Sequence, residues 1–96
     1  MSEWRVLSSY GAILTYVAAH PQATGLEISA AIGVQERTVR RNIAVLLADG
    51  YLRKDRAGRT NRYEVNMEMP LRRPGMRGAT VGDLVKALAP FVGEGQ

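Results

Sequence analysis

Apolar residues recur along the N-terminal part of the chain at three- and four-residue spacing. Tyr10, Ile13, Leu14 and Val17 fall on one face of a helix over 8–20, which Ser8 or Ser9 can cap and His20-Pro21 ends. Upstream, Trp4, Val6 and Leu7 fit either a helical extension or an arm packed elsewhere. A second, shorter helix is predicted over 24–32, where Thr24 and Glu27 have the spacing of a capping box. Gly33 stops it, because glycine tolerates the left-handed backbone of a sharp turn between helices. A third helix runs from 35 or 36 to 48, with Val39, Ile43, Leu46 and Leu47 inward and Arg37, Arg40, Arg41 and Ala44 turned away. Asp49-Gly50 closes it.

After Gly50 the period changes to that of strands. Segments 51–56 and 62–66 read as a hairpin joined through Gly58, with Tyr63 and Val65 pointing one way and Arg62 and Glu64 the other. Beyond Tyr51 and Leu52 the first run is wholly charged, as in an edge strand. Segment 69–79, rich in proline, glycine and arginine, reads as an extended linker. A last helix then restarts over 81–89: Thr80 and Asp83 form a second capping box, and Val81, Leu84, Val85 and Leu88 make one apolar stripe before Pro90. A helix beyond such a linker reaches outward, so the stripe is expected to meet a partner, and 80–96 reads as a dimerisation element attached to a domain over 1–68. The expected fold class is mainly α with a small β-hairpin.

Composition narrows the partners more than the fold. Ninety-six residues, 46% apolar and 23% charged, fit one ordinary globular domain, and no apolar run approaches the length of a membrane helix. The first ten residues contain no charged-then-apolar leader, and cysteine is absent, which suits a reducing, cytoplasmic setting. The formal charge is +4, and it is unevenly spread. Between 36 and 62 stand eight basic residues against three acids, whereas the remainder carries five against six. An anionic partner is expected to meet the middle of the chain.

The residues between the second and third helices sharpen this. Relative to Gly33, apolar side chains fall five before (Ile28), one before (Ile32), one after (Val34) and six after (Val39), with small Ser29 four before. That is the packing pattern of a helix-turn-helix. A further apolar position, nine after, holds Asn42, and Ile43 is expected to take its role. Enzyme motifs are missing: there is no Gly-x4-Gly-Lys-Ser/Thr loop, no Gly-x-Ser-x-Gly elbow and no His-Glu-x-x-His. The acids are scattered and there is a single histidine, so neither an enzyme nor a metal or cofactor site is expected. His20 reads as a helix-end residue, and Trp4 and Tyr63 as packing residues.

Gly33 to Asn66, "GVQERTVRRNIAVLLADGYLRKDRAGRTNRYEVN", resembles the winged helix-turn-helix DNA-binding domains of small bacterial transcriptional regulators, the MarR/ArsR-like group. It is similar in particular to small members with a Gly-Arg-x-Asn-Arg-Tyr wing and a Pro-Leu-Arg tail, and the likeness extends from the first helix through "MPLRRP" to "TVGDLVKAL". Gln35 departs from the group's usual Ser or Thr cap, and glutamine caps poorly. The resemblance implies that the third helix enters a major groove of double-stranded DNA while the hairpin touches a minor groove or the backbone. It implies a homodimeric regulator of the nucleoid, with Val81, Leu84, Val85 and Leu88 at the dimer interface together with the first helix.

Side-chain chemistry points the same way. Gln35, Arg37, Thr38 and Arg41 stand where helix-turn-helix proteins reach base edges: arginine can fork onto guanine O6/N7 and glutamine onto adenine N6/N7. Arg40, Arg56, Arg59, Asn61 and Arg62 suit backbone or wing contacts, which set register and salt-dependent affinity. On an isolated helix Arg37, Arg40 and Arg41 would read as a solvated face; beside the glycine turn and the hairpin the interface reading prevails. Arg72, Arg73 and Arg77 read the opposite way, as solvated linker residues. Two other readings stay open, a winged helix used for protein–protein contact and an RNA-binding module. A small-molecule effector between the first and last helices is a further open possibility.

Overall fold

The computed structural model describes residues 4–93. Its elements in chain order are α1 (Ser9–Ala19), α2 (Gly25–Ile32), α3 (Glu36–Ala48), β1 (Leu52–Ala57), β2 (Thr60–Val65) and α4 (Val81–Leu88), with 3-10 turns at Pro74–Met76 and Ala89–Phe91. The architecture is mainly helical with one two-stranded antiparallel sheet.

Each boundary has a local cause. Ser8 caps α1, its hydroxyl accepting from the Gly11 amide at 3.2 Å. Thr24 and Glu27 close the capping box of α2, at 3.1 and 2.8 Å. Thr80 and Asp83 do the same for α4, at 3.2 and 2.9 Å. Gly33 ends α2 at φ +74, and its amide bonds back to the Ser29 carbonyl at 3.0 Å. A Cβ at Gly33 would meet nothing within 4 Å, so only the backbone opposes a side chain there. Gly33→Ala is therefore expected to cost about 1–2 kcal/mol, read as a lower urea midpoint at unchanged slope, and Gly33→Asn less.

The core joins every helix to the hairpin. Ile13, Leu14 and Val17 of α1, Ile28 of α2, Val39, Ile43 and Leu46 of α3, Tyr51 and Leu52 form one buried cluster with Val81 and Val85 of α4. Tyr10, expected on the buried face of α1, is exposed; Thr15 is buried in that helix, its hydroxyl donating to the Gly11 carbonyl at 2.7 Å. Ile43 is buried as expected, but so is its neighbour Asn42, at 4% exposure. The Asn42 amide donates to Ser9 Oγ at 2.7 Å, so the polar residue is satisfied and links mid-α3 to the start of α1. Trp4 and Val6 are exposed in a non-helical lead-in, and Leu7 alone of the three is half-buried. The lead-in is thus neither a helical extension nor a packed arm, and Trp4, expected as a packing residue, lies 74% exposed because no core surface among the described residues reaches it.

The C-terminal part differs most from expectation. Segment 69–79 is a closed loop rather than an outstretched linker, because its two ends are pinned together: Pro70 bridges Thr80, and the Val81 and Gly82 amides donate to the Met69 and Met67 carbonyls, both at 2.8 Å. This brings α4 back against α1. Val81 and Val85, expected at a dimer interface, are instead 1% and 8% exposed in the chain's own core. Their area is already removed from water, so as folded they have no face to offer a partner. Leu84 and Leu88 are half-buried.

Candidate functional site

The third helix presents its arginines on the side opposite the core. Once Val39, Asn42, Ile43 and Leu46 point inward, helical geometry leaves Arg37, Arg40, Arg41 and Ala44 exposed. Gln35 occupies the N-cap position with extended backbone, makes no side-chain cap hydrogen bond and is exposed. Thr38 is half-buried. Arg40 is the most engaged arginine: it forms an ion pair with Glu36 one turn earlier, and its side chain passes over Gly25 at the start of α2. Among the described residues Arg37 and Arg41, one turn apart on one face, form no ion pair, so the helix's most available positive charge sits there.

The hairpin follows directly. Tyr51 is buried, its amide bonded to the Leu46 carbonyl at 2.9 Å and its hydroxyl donating to the Pro70 carbonyl at 2.6 Å. Asn66 closes the base, its amide donating to the Tyr51 carbonyl at 3.0 Å. The strands pair from Leu52↔Val65 to Ala57↔Thr60, leaving Gly58-Arg59 as a two-residue turn. Gly58 has φ +68 and Arg59 does not share the positive φ, the pattern of a type II′ turn that matches strand twist. The turn comes after 57, not at the broader 57–61 loop expected. On the outer side, the Tyr63 amide donates to the Pro21 carbonyl at 2.8 Å, which ties β2 to the segment joining α1 and α2.

Register assigns every hairpin charge to a face. Leu52, Lys54 and Arg56 share the core-side face with Asn61, Tyr63 and Val65; Arg53 and Asp55 share the other with Arg62 and Glu64. Arg56, Arg59 and Arg62 are all exposed, and Asn61 is half-buried on the Tyr63 side. Arg53 pairs with Glu64 at 2.8 Å. Lys54 is a cation that the sequence pattern counted but did not place, since its face depends on a register fixed by the Gly58-Arg59 turn.

Of the arginines in 69–79, Arg72 is not a loose solvated residue. It has φ +68, alone among described non-glycine residues, and its guanidinium bonds Asp49 at 3.3 Å while lying 6.0 Å from the centre of the Tyr51 ring. Those contacts hold the strained backbone. Arg73 and Arg77 are exposed.

A separate open groove of about 1240 Å³ runs between α1, α2 and the segment after α4, with Tyr16, Ile32, Leu88 and Phe91 among its walls. His20 caps the end of α1, its ring stacked on Tyr16 at 4.4 Å, and its Nε2 is buried without a hydrogen-bond partner among the described residues. Among the described residues no cluster of three or more His, Asp or Glu is arranged to hold a metal ion, and no helix is long and apolar enough to cross a membrane. No protein-family model matches the chain, and no curated protein matches it.

Proposed function

We propose that the chain is a winged helix-turn-helix of the MarR/ArsR-like kind that binds double-stranded DNA and regulates transcription as a homodimer. The observation that carries this reading is the exposed, basic face of α3, with Arg37 and Arg41 exposed on it, set between the Gly33 turn and a basic hairpin. A helix of this width fits a B-DNA major groove, and its N-terminal residues are the ones that approach base edges. Gln35, Arg37, Thr38 and Arg41 read bases in this account; the hairpin is the wing, and Arg40 assists at the backbone. The Tyr63–Pro21 hydrogen bond supports it, because it braces the wing against the helical body.

A homodimer would read two half-sites about 34–36 Å apart. With Val81 and Val85 occupied inside the chain, its contact falls to Leu84, Leu88 and the neighbouring Phe91, which is 79% exposed. Competition in a mobility-shift assay tests the reading. A labelled duplex should be displaced by unlabelled duplex and not by an equal concentration of structured RNA; preferential displacement by RNA would replace the proposal with an RNA-binding one.

A further inference from the structure

Resting on the duplex-DNA reading, we infer that the wing meets the phosphate backbone with one face only, through Lys54 and Arg56 together with Arg59 at the tip, while Arg53 and Arg62 take no part. The register makes the two faces electrically different. On the outer face Arg53 stands opposite Glu64, with an ion pair at 2.8 Å, and Asp55 stands opposite Arg62. Two cations and two anions alternate there within the few ångströms that separate cross-strand neighbours, so they cancel. A polyanion gains nothing from such a face, because approaching the arginines also means approaching Asp55 and Glu64.

The core-side face holds Lys54 and Arg56 and no acid: its other members are Leu52, Asn61, Tyr63 and Val65. Both cations are exposed, beyond the point where Leu52 enters the core. They lie on β1, the strand that packs against α3, whereas β2 packs against α1. The basic face of β1 thus continues from the C-terminal end of α3, where the Tyr51 amide bonds the Leu46 carbonyl, and Arg59 extends it at the turn. Arg62 borders instead the groove between α1 and α2, on the β2 side. Asn61, half-buried on the core-side face, stands opposite Arg56 and can orient it.

Two charge-matched double variants of the full chain test this. Lys54→Gln/Arg56→Gln and Arg53→Gln/Arg62→Gln remove the same net charge from the same two strands, so the long-range field changes equally. Binding to a labelled mixed-sequence duplex is measured by fluorescence anisotropy across a salt series. The first variant should lower the slope of log affinity against log salt by about 1.8, with affinity falling some tens-fold at about 0.1 M salt. The second should change the slope by less than about half of that. Urea midpoints of both variants should stay near that of the unaltered chain, since all four side chains are exposed. An equal or larger loss in Arg53→Gln/Arg62→Gln overturns the one-faced wing while leaving DNA binding intact. Failure of the unaltered chain to bind any duplex overturns both.

Discussion

Leu52→Ala is expected to lower the unfolding free energy by about 2–5 kcal/mol. Leu52 is 2% exposed and sits in the cluster that joins α1, α2, α3 and α4. It is also where β1 leaves the core, since the next four residues, Arg53 to Arg56, are charged and exposed. Truncation leaves a cavity that the surrounding helices can close only in part, and it removes the apolar anchor of the hairpin. A domain of this size is stable by about 5–15 kcal/mol, so the loss is a large share of the total. Urea denaturation followed by circular dichroism should show a marked fall in midpoint at unchanged slope. Lys54→Ala, two residues along the same face, should stay within about 0.5 kcal/mol of the parent. Equal midpoints for the two would mean that the hairpin is not docked through Leu52.

Arg37→Ala should relax sequence preference by about 1–3 kcal/mol, roughly 5- to 150-fold in discrimination between a selected site and a variant of it. The side chain is exposed in the first turn of α3, and among the described residues no ion pair draws it back as Glu36 draws Arg40. A guanidinium there can make two parallel hydrogen bonds to guanine O6 and N7, a pair that a wrong base leaves unmade. Arg59→Ala should behave differently. If it meets phosphate from the tip of the hairpin, as proposed, its loss should weaken all duplexes alike and reduce the salt slope by about 0.9. Ratios of affinity for matched and mismatched duplexes separate the two cases. If Arg37→Ala lowered every affinity equally, that residue would be a phosphate contact and base reading would fall to Gln35 and Arg41.

Local chemistry made the helices legible in the sequence. The capping boxes at Thr24–Glu27 and Thr80–Asp83 and the left-handed Gly33 depend on a few adjacent residues, and each lies where the residue pattern put it. What escaped depends on contacts distant in the chain. Asn42 looked out of place at an apolar position because its partner, Ser9, is 33 residues away. The return of α4 into the core hinges on backbone bonds from Val81 and Gly82 to Met69 and Met67, which composition does not reveal; a Pro/Gly/Arg segment reads as linker whether or not its ends meet. Arg72 is held by Asp49 and Tyr51, again through contacts invisible to local patterning.

The candidate site divides along the same line. Exposure of Arg37, Arg40 and Arg41 follows from helical periodicity alone, and the outward direction of Arg62 and Glu64 from strand alternation. The cancellation of Arg53 and Arg62 by Glu64 and Asp55 needs the cross-strand register, and that register turns on whether the loop holds two residues, 58–59, or five, 57–61. A one-residue slip would have put Lys54 and Arg56 on one face with Glu64 and Arg62.

A duplex-binding regulator should bind DNA with a strong dependence on salt. Fluorescence anisotropy with a random-sequence duplex pool, titrated at about 50 and 200 mM salt, measures it directly. The prediction is binding at low salt, a linear fall of log affinity with log salt, and recovery of a palindromic site when the bound pool is selected and sequenced. No duplex binding at the lower salt, or an affinity that ignores salt, would contradict it.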